Sequence, residues 1–136
     1  TCALQIYLKL LQLLLILNVL DKHDNVIFSV DFNIESHNKI LQLVLTGNIK
    51  DQHGVYHLQK KYNNIYNINN NLITTHTSNK ITPIYTEMLD YIFVSTNIKV
   101  LDCLKLKNKN DVKNDVYWPN DKQPSDHQMI WGLIEL

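Results

Sequence analysis

Met88-Leu89-Asp90-Tyr91-Ile92-Phe93-Val94 is the most strand-like stretch of the chain. Aromatic and β-branched residues follow one another here, which suits a pleated surface and crowds a helix. With a period of two, Leu89, Tyr91 and Phe93 take one face, and Asp90, Ile92 and Val94 the other. Both faces are apolar, so the spacing predicts an interior strand. Asp90 is the exception. A buried carboxylate costs several kcal/mol unless it is paired or hydrogen-bonded. An imidazole N–H is its natural partner, and a wet position at the strand end is the alternative.

Strands are expected on either side. Residues 98–104 read as a hairpin partner across Ser95-Thr96-Asn97, and residues 72–77 as a strand before a turn at Pro83. Residues 105–122 are polar and charged, a surface connection, and residues 129–135 read as the last strand. Val26-Ile27-Phe28-Ser29-Val30 reads as a short buried strand after a polar turn. Asp31-Phe32-Asn33 sits at its carboxyl end, where open α/β sheets place ligands. Ser36 is the expected N-cap of a helix carrying Ile40, Leu41, Val44 and Leu45, with Gly47 as its stop. Residues 48–71 are Asn-rich and read as a loop or insertion with a helical piece, anchored by Tyr56, Leu58, Tyr62, Ile65 and Tyr66.

The opening run, residues 4–20, is strongly apolar. Gln5, Lys9 and Gln12 fall on one narrow helical stripe. A bilayer span needs about 20 apolar residues. This run carries one lysine and three amides, so a buried or sandwiched helix is expected and no membrane contact. Helices and strands together predict an α/β fold, and the 136 residues suffice for one domain with a real core.

Composition bounds the rest. Hydrophobic residues make up 45% of the chain, which excludes a disordered class despite the many asparagines. Thirteen basic residues, all lysine, balance thirteen acidic ones, so there is no global electrostatic footprint for nucleic acid. Cys2 and Cys103 have no metal-ligand spacing and form no disulfide framework, which favours a reducing compartment, cytoplasmic or nuclear. No signal peptide is visible, and Thr1 in place of an initiator Met suggests a native start further upstream.

Three stretches carry residues suited to chemistry. The Asp31 carboxylate can bind Mg²⁺ or polarise a water, and the Asn33 amide can donate to a phosphate oxygen. An Asx-rich turn is the plain alternative. Asp90 is the second, and Pro124-Ser125-Asp126-His127, a histidine beside a carboxylate on a turn, is the third. Ser125, Asp126 and His127 do not make a serine-hydrolase triad, because adjacent residues on an extended chain point apart and no nucleophile elbow is present. His53 and His57 stand four apart near Asp51, but lack a third ligand in a clear helix. His23 and His37 read as surface residues.

In order and strand context, the three stretches resemble the endonuclease/exonuclease/phosphatase superfamily. Its Gly-Asp-Phe-Asn, Asp-Tyr-Ile-Phe and Ser-Asp-His signatures match Val30-Asp31-Phe32-Asn33, Asp90-Tyr91-Ile92-Phe93 and Ser125-Asp126-His127. Finer features are similar to the deadenylase branch, which holds the carbon-catabolite-repressor, nocturnin and Angel-like proteins and a 2′,5′-oligoadenylate phosphodiesterase. Ile73-Thr74-Thr75-His76-Thr77 looks like that branch's Phe-Thr-x-x-Thr segment. Pro119-Asn120 before Pro124-Ser125-Asp126-His127 looks like its Leu-Pro-Asn…Pro-Ser-Asp-His ending. Leu58 and Tyr62 fit its Leu-x-Ser-x-Tyr pattern, with Lys60 in place of the serine.

The resemblance implies that residues 1–136 form the C-terminal part of such a domain, half of a four-layer αββα sandwich with mostly antiparallel mixed sheets. It implies a Mg²⁺-dependent phosphodiesterase (Mn²⁺ being possible), a 3′-exoribonuclease that removes poly(A) from RNA. Its partners would be the poly(A) 3′ end and proteins of an RNA-decay complex. Asp31, Asn33, Asp90 and His127 would be catalytic. Asp31 would orient or deprotonate the water near the metal, and Asn33 would hold a phosphate oxygen. His127 would stabilise phosphate charge, and Asp90 would fix the His127 tautomer. Asp126 with Asp31 would serve the metal, and Asn33, Thr75 and His76 would touch substrate.

The chain departs from the pattern at two points. Val30 replaces the glycine before the aspartate, which narrows a close backbone approach. The superfamily's early metal-binding glutamate has no counterpart, since the glutamates are Glu35, Glu87 and Glu135. The chain by itself is therefore expected to be inactive or poorly metallated. Two alternatives stay open: another phosphoesterase of the same fold, such as an abasic-site nuclease or inositol-phosphate phosphatase, and a non-catalytic scaffold with a degenerate site.

Overall fold

The computed structural model describes residues 3–51, 54–68, 71–77, 84–112 and 118–136. In chain order the described elements are α1 (Ala3–Leu20), β1 (Ile27–Asp31), α2 (Lys39–Thr46), β2 (Asn48–Asp51), β3 (Gly54–His57), β4 (Tyr62–Asn64), β5 (Thr75–Thr77), β6 (Tyr85–Glu87), β7 (Asp90–Ser95), β8 (Lys99–Cys103) and β9 (Gly132–Glu135). The fold is mixed α/β, and all the described strand pairs are antiparallel.

The apolar run at residues 88–94 does become an interior strand. β7 lies between β1 and β4, and β5–β6, β2–β3 and β8–β9 form separate two-stranded pairs. Tyr91, Phe93 and Val94 of β7 are fully buried. Phe28 of β1 stacks on Phe93 at 5.0 Å and meets the Tyr62 ring edge-on at 5.3 Å. Offset and edge-on contacts match the ring quadrupoles and add about 0.5–1.5 kcal/mol per pair beyond area burial. Tyr91 donates its hydroxyl toward Met88 O (2.7 Å) and Ile34 O (2.9 Å), so the one polar atom on this face has partners.

Both helices pack on this core. α1 buries Leu10, Leu13 and Leu17 on one stripe, and α2 buries Ile40, Leu41, Leu43 and Val44. Each such side chain contributes about 1.5–3 kcal/mol when fully buried. α2 stops at Gly47, whose φ of 75° lies in the left-handed region and whose N–H reaches Leu43 O.

Several expectations are corrected. The N-cap of α2 is Asn38, whose Oδ1 accepts from Ile40 N at 3.0 Å; Ser36 is buried ahead of it. Residues 98–104 do form a strand, but β8 pairs with β9 and not with β7. β1 and β4 already take both edges of β7, so a hairpin across Ser95 has no free edge to join. Residues 48–64, expected as a loop with a helical piece, hold β2, β3 and β4. Ile49 opposite Tyr56 and the fully buried Tyr62 supply enough apolar contact to fix strands in a polar sequence. The 105–122 connection contributes Leu106 to the main core, and Val112 and Trp118 close a small cluster with Ile73.

The opening helix is covered on one side only. Leu8, Leu11, Leu15, Ile16 and Val19 are exposed, so the sandwiched arrangement is not found among the described residues. No described helix is long and apolar enough to cross a membrane. The expected turn at Pro83, and Cys2 and His53, lie outside the described residues.

Candidate functional site

The ladder between β1 and β7 builds half of the site. Antiparallel register sets the last residue of β1, Asp31, opposite the first residue of β7, Asp90. Two carboxylates thus stand together at one end of the central sheet. Asp31 is exposed and Asp90 half-buried.

The other half arrives through β5, which lies between β6 on one edge and residues 126–128 on the other. Thr75 bridges His127, His76 N donates to Asp126 O at 2.8 Å, and Gln128 N donates to Thr74 O at 2.8 Å. This backbone pairing carries His127 to Asp90. His127 Nδ1 and Asp90 Oδ2 are 2.8 Å apart, and Thr75 Oγ1 lies 3.2 Å and 3.3 Å from those two atoms. An ionised carboxylate only accepts, so Nδ1 carries the proton and Nε2 is left for chemistry.

Burial works against a charged His127 imidazole. The hydrogen bond and charge of Asp90, with Asp31 and Asp126 further off, outweigh it and hold the pKa above the ordinary histidine value. His127 therefore keeps positive charge to higher pH than a free histidine does.

Asp31 sits in a tight Asx turn. Its Oδ1 accepts from Asn33 N at 2.8 Å and its Oδ2 from Asn33 Nδ2 at 3.2 Å. Asn33 has a φ of 49°, a conformation that asparagine tolerates better than most residues. Lys9 of α1 reaches across to donate from Nζ to Asn33 O at 2.7 Å. Beside this turn lies a cavity of about 170 Å³, lined in part by Lys9, Asn33, Glu35, Asn38 and Tyr85. The Tyr85 hydroxyl donates to Glu35 Oε1 at 3.3 Å. Its pKa is pushed up to about 12, first by burial and then by the negative charges of Glu35 and Glu87.

Ligand atoms of Asp31, Asp90 and His127 all lie within 4.8 Å of one another. Asp90 and His127 are engaged with each other, whereas each Asp31 oxygen retains a lone pair beyond its bond to Asn33. Hard carboxylate oxygens fit Mg²⁺, which takes one or two protein carboxylates and keeps several waters. The same donors suit Mn²⁺ and Ca²⁺.

Asp31, Asn33, Asp90 and His127, singled out from sequence, thus come together, whereas Asp126 adjoins His127 in the chain but is not in the group of gathered ligand atoms. Thr75 and His76 are placed differently from the expected substrate contacts. Both are buried. The Thr75 hydroxyl meets the Asp90–His127 pair; His76 Nδ1 meets Thr86 Oγ1 at 2.7 Å, and its ring stands edge-on to Trp118. His57 bonds Asn48 Oδ1, away from this cluster, and Lys60 bonds His23 O and pairs with Asp24. Sequence reading missed Lys9, which looked like part of a helix stripe, and Tyr85, which carried no local signal. No protein-family model matches the chain, and no curated protein sequence is similar to it.

Proposed function

We propose that Asp31, Asn33, Asp90 and His127 form the site of a metal-dependent phosphodiesterase, a 3′-exoribonuclease acting on adenylate-ended RNA. The domain would be the C-terminal half of a four-layer αββα sandwich. The observation that carries this reading is the convergence of the Asp90–His127 pair and the Asp31 carboxylate within 4.8 Å at one sheet end. Titratable groups gathered with a specific charge partner at a partly exposed edge mark a candidate functional site.

Asp31 would hold Mg²⁺, beside Asp90 and His127; Asp126 as a second ligand rests on the resemblance alone. When bound, the ion would neutralise phosphate charge and acidify a water. Asp31 would also orient a water toward phosphorus. Attack forms a new P–O bond and breaks the bond to the 3′ oxygen of the preceding nucleotide, releasing a nucleoside 5′-monophosphate. The Asn33 side-chain amide donates to a non-bridging oxygen. His127, held by Asp90 through Nδ1, donates from a protonated Nε2 to the phosphate as its charge builds. The cavity beside Asn33, about 170 Å³, is smaller than ordinary ligand pockets and has room for only part of a nucleotide, with Tyr85 in its lining.

The test uses a 5′-labelled oligoadenylate and Mg²⁺ with the longest natural chain that contains these residues. Stepwise shortening is expected, falling about a hundred- to a thousand-fold in His127→Ala. Unchanged trimming in both Asp31→Ala and His127→Ala sinks the assignment. A substrate panel of abasic DNA and inositol phosphates separates the related phosphoesterase readings.

A further inference from the structure

We propose that Thr74 is a positioning residue whose hydroxyl sets the Asp90 carboxylate against His127. Its functional meaning rests on the phosphodiesterase reading; its geometry does not. Thr74 is fully buried, one residue before β5. Its Oγ1 accepts from two consecutive backbone amides, Leu89 N at 2.9 Å and Asp90 N at 3.0 Å. A hydroxyl has two acceptor lone pairs, and both are used here.

The location explains the need. β4 pairs with β7 only at residues 93–95, so among the described residues no strand lies on that side of the start of β7. Two N–H groups there, one buried and one part-buried, require an acceptor, and the Thr74 hydroxyl supplies it. The Leu89 carbonyl faces the other way, accepting from Phe32 N at 3.0 Å. Leu89 is thus clamped between the Asp31 turn and Thr74.

The Thr74 backbone makes two more connections. Its N–H donates to Glu87 O at 3.1 Å, and its carbonyl accepts from Gln128 N at 2.8 Å. One buried residue therefore ties together the segment ahead of Asp90 and the residue after His127. The neighbouring Thr75 touches the two side chains directly, and Thr74 fixes the backbones that carry them. Loss of the Thr74 hydroxyl orphans two amides and lets the start of β7 turn to find water or another acceptor. Asp90 then leaves the His127 Nδ1.

The readout is the His127 tautomer, from long-range ¹H–¹⁵N correlations of the imidazole at a pH where it is neutral. The wild-type ring is expected to carry its proton on Nδ1, against the preference of free histidine for Nε2. Thr74→Val, which keeps the shape and loses the hydroxyl, is expected to shift the ring to Nε2–H. Thr74→Ser is expected to retain Nδ1–H. A folded Thr74→Val that keeps Nδ1–H overturns the proposal, as does a Thr74→Ser that loses it. Should Thr74→Val not fold, amide exchange of the unmodified protein decides. Slow exchange at both Leu89 and Asp90 supports the clamp, and fast exchange at either overturns it. Oligoadenylate trimming is measured in parallel. A wild-type chain that cleaves nothing removes the phosphodiesterase reading and leaves the tautomer result standing on its own.

Discussion

Replacing Asp90 by Asn asks whether its charge holds His127. The substitution keeps the shape and one acceptor oxygen. Asp90 Oδ2 accepts from His127 Nδ1 at 2.8 Å and from Thr75 Oγ1 at 3.3 Å. The longer contact is weak for an O–H···O bond. The shorter one joins opposite charges while His127 is protonated, and bonds to charged groups contribute about 1.5–3 kcal/mol. The His127 side chain is 33% exposed. Solvent screening reduces the figure to about 1–2 kcal/mol. The pH sign follows from His127, whose folded pKa is raised above 6.5. A group of this kind adds stability that is fully present below its unfolded pKa and lost as pH rises through the folded one. Urea unfolding from about pH 5.5 to about pH 8.5 brackets this window. Asp90→Asn should lose about 1–2 kcal/mol at the acid end and less at the alkaline end. The difference between the two proteins isolates the pair, since the other histidines are common to both. Equal destabilisation across the whole range would refute the pairing, as would a loss that grows with pH.

Three further outcomes test the frame that carries the site. Leu17→Ala, at a fully buried position of α1, should cost about 2–5 kcal/mol in urea unfolding. Leu15→Ala, at a position 70% exposed, should change stability by less than about 0.5 kcal/mol; a reversed order would mean that α1 packs by its other face. Gly47→Ala should cost about 1 kcal/mol from its left-handed backbone alone, because a Cβ would stand 3.8 Å from Leu58 O, an ordinary contact. Tyr91→Phe should cost about 1–2 kcal/mol, since its hydroxyl serves Met88 O and Ile34 O in the core, and a neutral result in thermal melts would count against those bonds.

β7 was legible because its signal is local: two apolar faces with one carboxylate at the edge. The pairing of β8 was not legible. A turn at residues 95–97 invites a hairpin, and only the occupancy of both β7 edges forbids it. The strands between residues 48 and 64 were hidden for a related reason. Their lysines and asparagines read as loop, and Tyr62 is fixed by core burial and by a 2.8 Å bond to Asp21, 41 residues earlier. The site residues stood out by chemical type, order and position at strand ends. Thr75 was expected to touch substrate; that its hydroxyl meets the Asp90–His127 pair depends on a segment 52 residues later, which no local pattern reveals. Thr74 stood out only as part of the segment that looks like Phe-Thr-x-x-Thr; its role did not, because a hydroxyl that serves backbone amides looks in sequence like any strand threonine.

Asp31, Asp90 and His127 should gather at a cation site. Paramagnetic broadening by Mn²⁺ in ¹H–¹⁵N spectra of the chain tests this most directly, with competition by Mg²⁺. Losses are expected first at residues 31–33, 90 and 126–127, reversed by Mg²⁺ and absent in Asp31→Asn. Broadening spread over the surface carboxylates, with these residues no more affected than Asp24 or Asp121, would contradict the account.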